Sequence, residues 1–182
     1  MKLLFVNGCI SQRGEESRTL VLARSFLDAW QARHPEAEVE TVEPEALLAL
    51  KPFAPEMLND RDALAGIRCF DAPVYDLARQ FRAADRVVVA APFWDLTFPA
   101  ALRTYIEYIS ANGLTYHYEA DGCHGIAGQR SWLISPPAGI WSSPRVWVFC
   151  TGSSCAPCSA SRRSAMCLPA DWTWIPPRRR RF

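Results

Sequence analysis

The sequence predicts an open α/β fold, a parallel sheet with helices packed against it, and three observations carry that reading. Val87-Val88-Val89-Ala90-Ala91 is a short, all-apolar, valine-dense run of the kind buried on both faces of a parallel sheet. A loop with two prolines follows, and then Leu102, Tyr105, Ile106 and Ile109 fall at helical spacing. The start of the chain repeats the pattern: an apolar run at 2–6, a polar loop, and a helix with Leu20, Ala23, Leu27 and Trp30 on one face. Strand, loop and helix in this order make the βα unit of an open sheet, whose ligands sit beyond the carboxyl ends of the strands. The loops at 7–19 and 92–99 are therefore the places to look for a site.

The remaining elements follow in order. Ser17 is a good N-cap for the first helix, which stops at His34-Pro35. Val39 and Val42 mark a second strand at Glu38–Val42. Residues 44–70 mix leucines with three prolines and read as a variable connection with one or two short helices. A helix at 71–84 turns Val74, Leu77, Ala78 and Phe81 inward and leads into the valine strand. The helix at 100–111 is predicted to stop at Asn112-Gly113. Residues 114–118 alternate, and a glycine-rich turn from Gly122 to Gly128 precedes a fourth strand.

With 182 residues and 49% hydrophobic content, one domain with a substantial core is expected. The formal charge of +1 is unevenly spread: from Ser131 onward there are seven Arg and one Asp but no Lys or Glu, so the body is acidic and the tail basic. Met1 to Val6 is apolar but breaks at Asn7-Gly8, too short for a secretory core and better read as a strand. No apolar run approaches the roughly 20 residues of a membrane helix. Seven Cys, an odd number without a disulfide-scaffold layout, point to a reducing cytoplasm.

The first loop reads Asn7-Gly8-Cys9-Ile10-Ser11-Gln12-Arg13-Gly14-Glu15-Glu16-Ser17-Arg18-Thr19. Hydroxyls, an arginine and free N–H groups at a helix start are the parts of a phosphate cradle. An ordinary capped helix behind a polar loop accounts for the same residues, and spacing alone leans toward it.

The second loop moves the balance. Ala91-Pro92-Phe93-Trp94-Asp95-Leu96-Thr97-Phe98-Pro99-Ala100 resembles the flavin-ring loop of the flavodoxin-like NAD(P)H-dependent FMN oxidoreductases, the family of azoreductases and NAD(P)H:quinone oxidoreductases. The likeness covers residues 1 to about 130, and Gly125-Ile126-Ala127-Gly128-Gln129-Arg130 resembles the family's approach to its fourth strand. The resemblance implies a flavodoxin-like sheet of order 2-1-3-4-5. It also implies an FMN phosphate held by Ser11, Arg13, Ser17, Arg18 and Thr19. The ring system would lie on Pro92, Phe93, Trp94, Asp95, Leu96 and Thr97, with Phe93 and Trp94 packed on it and the N–H groups of 93–97 on its polar edge. Asp95 stands where Asn is common, and a plain turn acid is an equal account of it. NAD(P)H would be co-substrate, and quinone, azo or nitroaromatic compounds the acceptors in a ping-pong order. No side chain is expected to be catalytic, because the flavin carries the hydride chemistry. The relatives are commonly homodimers. A flavodoxin-type electron carrier is the alternative, although its body would be more acidic and its phosphate loop tighter.

The tail does not continue the pattern. From Ser131 on lie five of seven Trp, four of seven Cys and seven of fourteen Pro, ending in four consecutive Arg. Such clustering is expected of a GC-rich gene read out of frame. Taking the third base of each codon with the first two of the next, Ile134 through Trp141 admit Leu/Ile/Phe-Thr-Thr-Gly-Gly-Tyr-Met, like the loop that closes over the flavin in the family. In that frame Asp171-Trp172 must give Leu, while Trp172-Thr173 and Trp174-Ile175 must each give Asp. The expectation is an FMN-binding domain at 1–135, lacking its last helix and strand, and an irregular, disordered tail at 136–182 with a frameshift near 128–134. Such a product would be impaired, or a non-enzymatic remnant with an uncovered sheet edge. Cys155-Ala156-Pro157-Cys158 and Cys123-His124 have metal-like spacing but no second Cys pair, and no metal site is assigned. The run at 178–181 reads as a short basic end rather than a nucleic-acid or membrane contact.

Overall fold

The structure is a computed structural model and describes residues 1–11, 13–94, 97–120, 122–128 and 130–135. Its strands are β1 (Lys2–Asn7), β2 (Glu38–Val42), β3 (Arg86–Ala90), β4 (Tyr116–Glu119), β5 (Gly122–Gly125) and β6 (Arg130–Ile134). Its helices are α1 (Arg18–Arg33), α2 (Pro44–Leu48), α3 (Pro55–Gly66), α4 (Asp76–Ala83) and α5 (Ala100–Ile109). Four strands form one parallel sheet in the order β2-β1-β3-β6, and β4 and β5 form a separate antiparallel hairpin. This is the flavodoxin-like order 2-1-3 with β6 as the fourth strand. The expected fifth strand, the tail at 136–182 and the possible strand at 146–150 lie outside the described residues.

Two-residue alternation sends the core to both faces of the sheet. Leu3 and Phe5 of β1, with Val88 and Ala90 of β3, pack on Leu20, Ala23 and Trp30 of α1. Leu4 and Val6, with Val87, face Leu47 of α2 and Leu102 and Tyr105 of α5. Helices on both faces explain why the two central strands read as unbroken apolar runs.

Two boundaries and the exposure of one residue differ from the sequence reading. The helix expected at 71–84 is a 3-10 turn at Pro73–Tyr75 followed by α4. Tyr75, at φ −102° and ψ 3°, separates the two, and its buried hydroxyl donates to the carbonyl of Arg61 at 2.5 Å. α5 ends at Ile109 rather than at 111, because side chains rather than another helical turn take up its last carbonyls. The Thr115 hydroxyl donates to the Ile109 carbonyl at 2.7 Å, and the Arg61 guanidinium donates to the carbonyls of Glu107 and Ser110. Gly113, at φ +81°, serves the turn beyond that end and donates its N–H to the Tyr116 carbonyl at 2.7 Å. Finally, Ile106 lies at helical spacing with the buried residues of α5 yet is 45% exposed.

Candidate functional site

Both candidate loops leave the same end of the sheet from adjacent strands, β1 and β3, whose last register pair is Asn7 with Ala90. Asn7 is buried, and its Oδ1 accepts the Cys9 N–H at 3.1 Å, which folds the chain sharply at Gly8. The Gly8 N–H donates to the Ala90 carbonyl at 2.8 Å, tying the first loop to the root of the second. β3 is tied in turn to β6, because the Ala91 N–H donates to the Ile134 carbonyl at 2.9 Å.

The first loop then makes a 3-10 turn, Gly14–Glu16, and Ser17 caps α1 with its Oγ 3.4 Å from the Leu20 N–H. That bond is long, and the same hydroxyl also hydrogen-bonds the Cys9 thiol. Burial pushes the Cys9 thiol above its ordinary pKa, against the opposing hydrogen bond from Ser17 and the charge of Arg24, so Cys9 stays a neutral thiol. Both acids of this turn are exposed; Glu15 is paired with Arg24 at 2.5 Å, and Glu16 stands beside it. Among the described residues no carboxylate pairs with Arg13 or Arg18, and both side chains are exposed. Ser11 and Ser17 are half-buried, whereas Thr19 is buried at 3% exposure in the first turn of α1. Two exposed guanidiniums, two hydroxyls and the N-terminus of a 16-residue helix form a donor set that fits a phosphate.

In the second loop Trp94 and Thr97 exchange both backbone hydrogen bonds, at 3.1 and 2.9 Å. Of the N–H groups expected along 93–97 to face a ligand, those of Trp94 and Thr97 bond to each other's carbonyls within the loop. Asp95 and Leu96 lie outside the described residues. Phe93 packs edge-on against Phe98, with ring centroids 5.5 Å apart. Pro92, Phe93 and Trp94 are half-buried, Thr97 is exposed, and the buried Pro99 opens α5. Half-exposed aromatic surface beside a loop with two exposed arginines suits a molecule with an apolar ring at one end and a phosphate at the other.

The sequence reading named the hydroxyls and cations but gave no role to Asn7 or Gly8, which fix where the loops sit. The signal available was an Asn-Gly pair directly after a strand, which marks a turn without saying what it leans on. Among the described residues no group of His, Cys, Asp and Glu is placed to hold a metal ion.

Fold and loops together describe an α/β protein of the nucleotide-binding class. Residues 1–141 match a family model described as a flavodoxin-like fold, past residue 130 where the loop resemblance stopped. A Clostridium perfringens protein named FMN-dependent NADH:quinone oxidoreductase 2 is 31% identical over 148 residues, covering 79% of this chain and 72% of that protein. A Coprothermobacter proteolyticus protein named FMN-dependent NADH:quinone oxidoreductase is 28% identical over 160 residues, covering 81% and 77%. Among solved structures, azoreductase from Bacillus anthracis superposes with a TM-score of 0.66 at 29% identity, covering 79% of this chain and 72% of that one. The chain belongs to the flavodoxin-like family of FMN-dependent NADH:quinone oxidoreductases and azoreductases.

Proposed function

We propose that this chain is an FMN-dependent NADH:quinone oxidoreductase. The observation that carries the reading is the pairing of a loop bearing two exposed arginines and two half-buried serines with a half-exposed aromatic loop on neighbouring strands, at the end of the sheet where such folds bind ligands. Ser11, Arg13, Ser17 and Arg18, with the backbone of Thr19, hold the phosphate of FMN. Pro92, Phe93, Trp94, Asp95, Leu96 and Thr97 hold its ring system. Bound FMN supplies the redox chemistry, passing two electrons as hydride from NADH to a quinone, azo or nitroaromatic acceptor. The protein positions the ring by packing Phe93 and Trp94 against it, and excludes water from one face. Donor and acceptor use the same opening in turn, which makes the order ping-pong.

Three finer readings go with this. A homodimer is supported by Leu48, Met57, Leu58 and Ile106, large apolar side chains of α2, α3 and α5 that are each 39% or more exposed. A cytoplasmic setting is supported by Cys9, Cys69 and Cys123, which form no disulfide among the described residues. The partner is a small molecule, and no helix among the described residues is long and apolar enough to cross a membrane.

The test is steady-state turnover of the FMN-loaded chain with NADH and benzoquinone. Parallel lines in double-reciprocal plots are expected. Flavin binding without reduction by NADH would favour a one-electron carrier, and absence of flavin binding would overturn the proposal.

A further inference from the structure

We propose that Gly8 is a positioning residue for the flavin, and that its missing side chain sets the spacing at which the two loops engage both ends of one FMN molecule. This rests on the functional reading above and adds to it. Of the described glycines, Gly14, Gly113 and Gly122 have positive φ angles and Gly8 does not. Conformation therefore does not demand glycine at this position; space does. A Cβ on Gly8 would lie 2.5 Å from the Ala90 carbonyl oxygen and 3.2 Å from Cδ2 of Leu102. Among the described glycines it alone would meet backbone closer than 3.0 Å.

The surroundings decide which side yields. Ala90 and Leu102 are 0% and 1% exposed, and the chain after Ala90 is held to β6 through Ala91 and Ile134. Close-packed interiors transmit such a contact rather than absorb it. Asn7 and Cys9 beside Gly8 are buried, but the first loop is exposed over most of residues 13–18, so a shift there meets less packing than one at Ala90. A side chain at Gly8 displaces the phosphate cradle away from the aromatic loop while leaving the aromatic loop in place. A misplacement of about 1 Å is enough to disrupt binding at two points at once.

The experiment compares FMN with riboflavin, which has the ring system but no phosphate, by quenching of flavin fluorescence. Wild type should prefer FMN. In Gly8→Ala the FMN-to-riboflavin preference should fall at least tenfold, with riboflavin affinity changing less than threefold. Asn7→Ala adds no clash and keeps the test usable if Gly8→Ala does not fold. It frees the Cys9 N–H and loosens the same turn, and should reduce the preference at least threefold. Folded variants that keep the wild-type preference, or lose both ligands in equal proportion, would overturn the positioning role. Failure of wild type to bind either flavin would instead overturn the function on which that role rests.

Discussion

Trp94 and Thr97 exchange both backbone hydrogen bonds, so the aromatic loop is closed on itself before any ligand arrives. A preformed loop does not lose conformational entropy again on binding, which favours affinity. Thr97→Pro removes the N–H that donates to the Trp94 carbonyl, a bond worth about 1 kcal/mol. FMN and riboflavin should both bind about fivefold more weakly to this variant. Thr97→Val, which keeps the N–H, should bind as wild type does. Unchanged affinity in Thr97→Pro would remove this loop from the ring site.

Ser17 separates helix capping from phosphate binding. Asp is as good an N-cap as Ser, and its charge suits the helix N-terminus, so Ser17→Asp should retain or raise the melting temperature. The same carboxylate would repel a phosphate held at that position. Riboflavin binding should survive in Ser17→Asp while FMN binding falls by tenfold or more, as charge-assisted bonds are lost. Equal effects on the two flavins would place the phosphate elsewhere.

Much of the fold was legible because apolar periodicity reports burial. Leu20, Ala23 and Trp30 are buried on one face of α1 as their spacing predicts, and Val87 and Val88 are fully buried. The start and end of helices were less legible where distant side chains decide them. Tyr75 interrupts its helix to reach Arg61, and Thr115 closes α5 from six residues downstream of Ile109. For the candidate site, the sequence identified which residues bear charge and hydroxyls. It was silent on the cross-strand contact of Gly8 with Ala90, because residues 82 positions apart leave no local pattern. It also did not show that the N–H groups of Trp94 and Thr97 serve each other.

Glu40 gives a pH-dependent term away from the site. Its Oε2 lies 2.6 Å from Lys2 Nζ, and its Oε1 accepts from Gln80 Nε2 at 2.6 Å. The hydrogen bond from Lys2, and then that from Gln80, holds the Glu40 carboxyl below its ordinary 4.5. A carboxyl lowered in the folded state contributes its full stability above the ordinary value and loses it as pH falls through the lowered one. The pair is about one-third exposed, so the contribution is screened to within about 1 kcal/mol. Glu40→Gln should be less stable than wild type to urea at pH 7, and the two should converge in strongly acid solution. A constant difference across that range would contradict the assignment.

We infer that the coding DNA shifts frame near residues 128–134, and we propose 1–135 as the FMN-binding domain and 136–182 as an out-of-frame replacement of its continuation. Reading the DNA in the second frame should yield the Thr-Thr-Gly-Gly-Tyr-Met loop and, near its far end, Leu-Asp followed one residue later by a second Asp. Homologues that carry this same tail in an uninterrupted frame would contradict it.

The most direct measurement is titration of FMN into the folded chain, both as it stands and with the residues after Ile134 supplied by the second frame. Flavin fluorescence and thermal stability should be followed together. The account predicts saturable quenching at one FMN per chain with a rising melting temperature, as ligand binding to the native state requires. Neither quenching nor thermal protection in either form would contradict it.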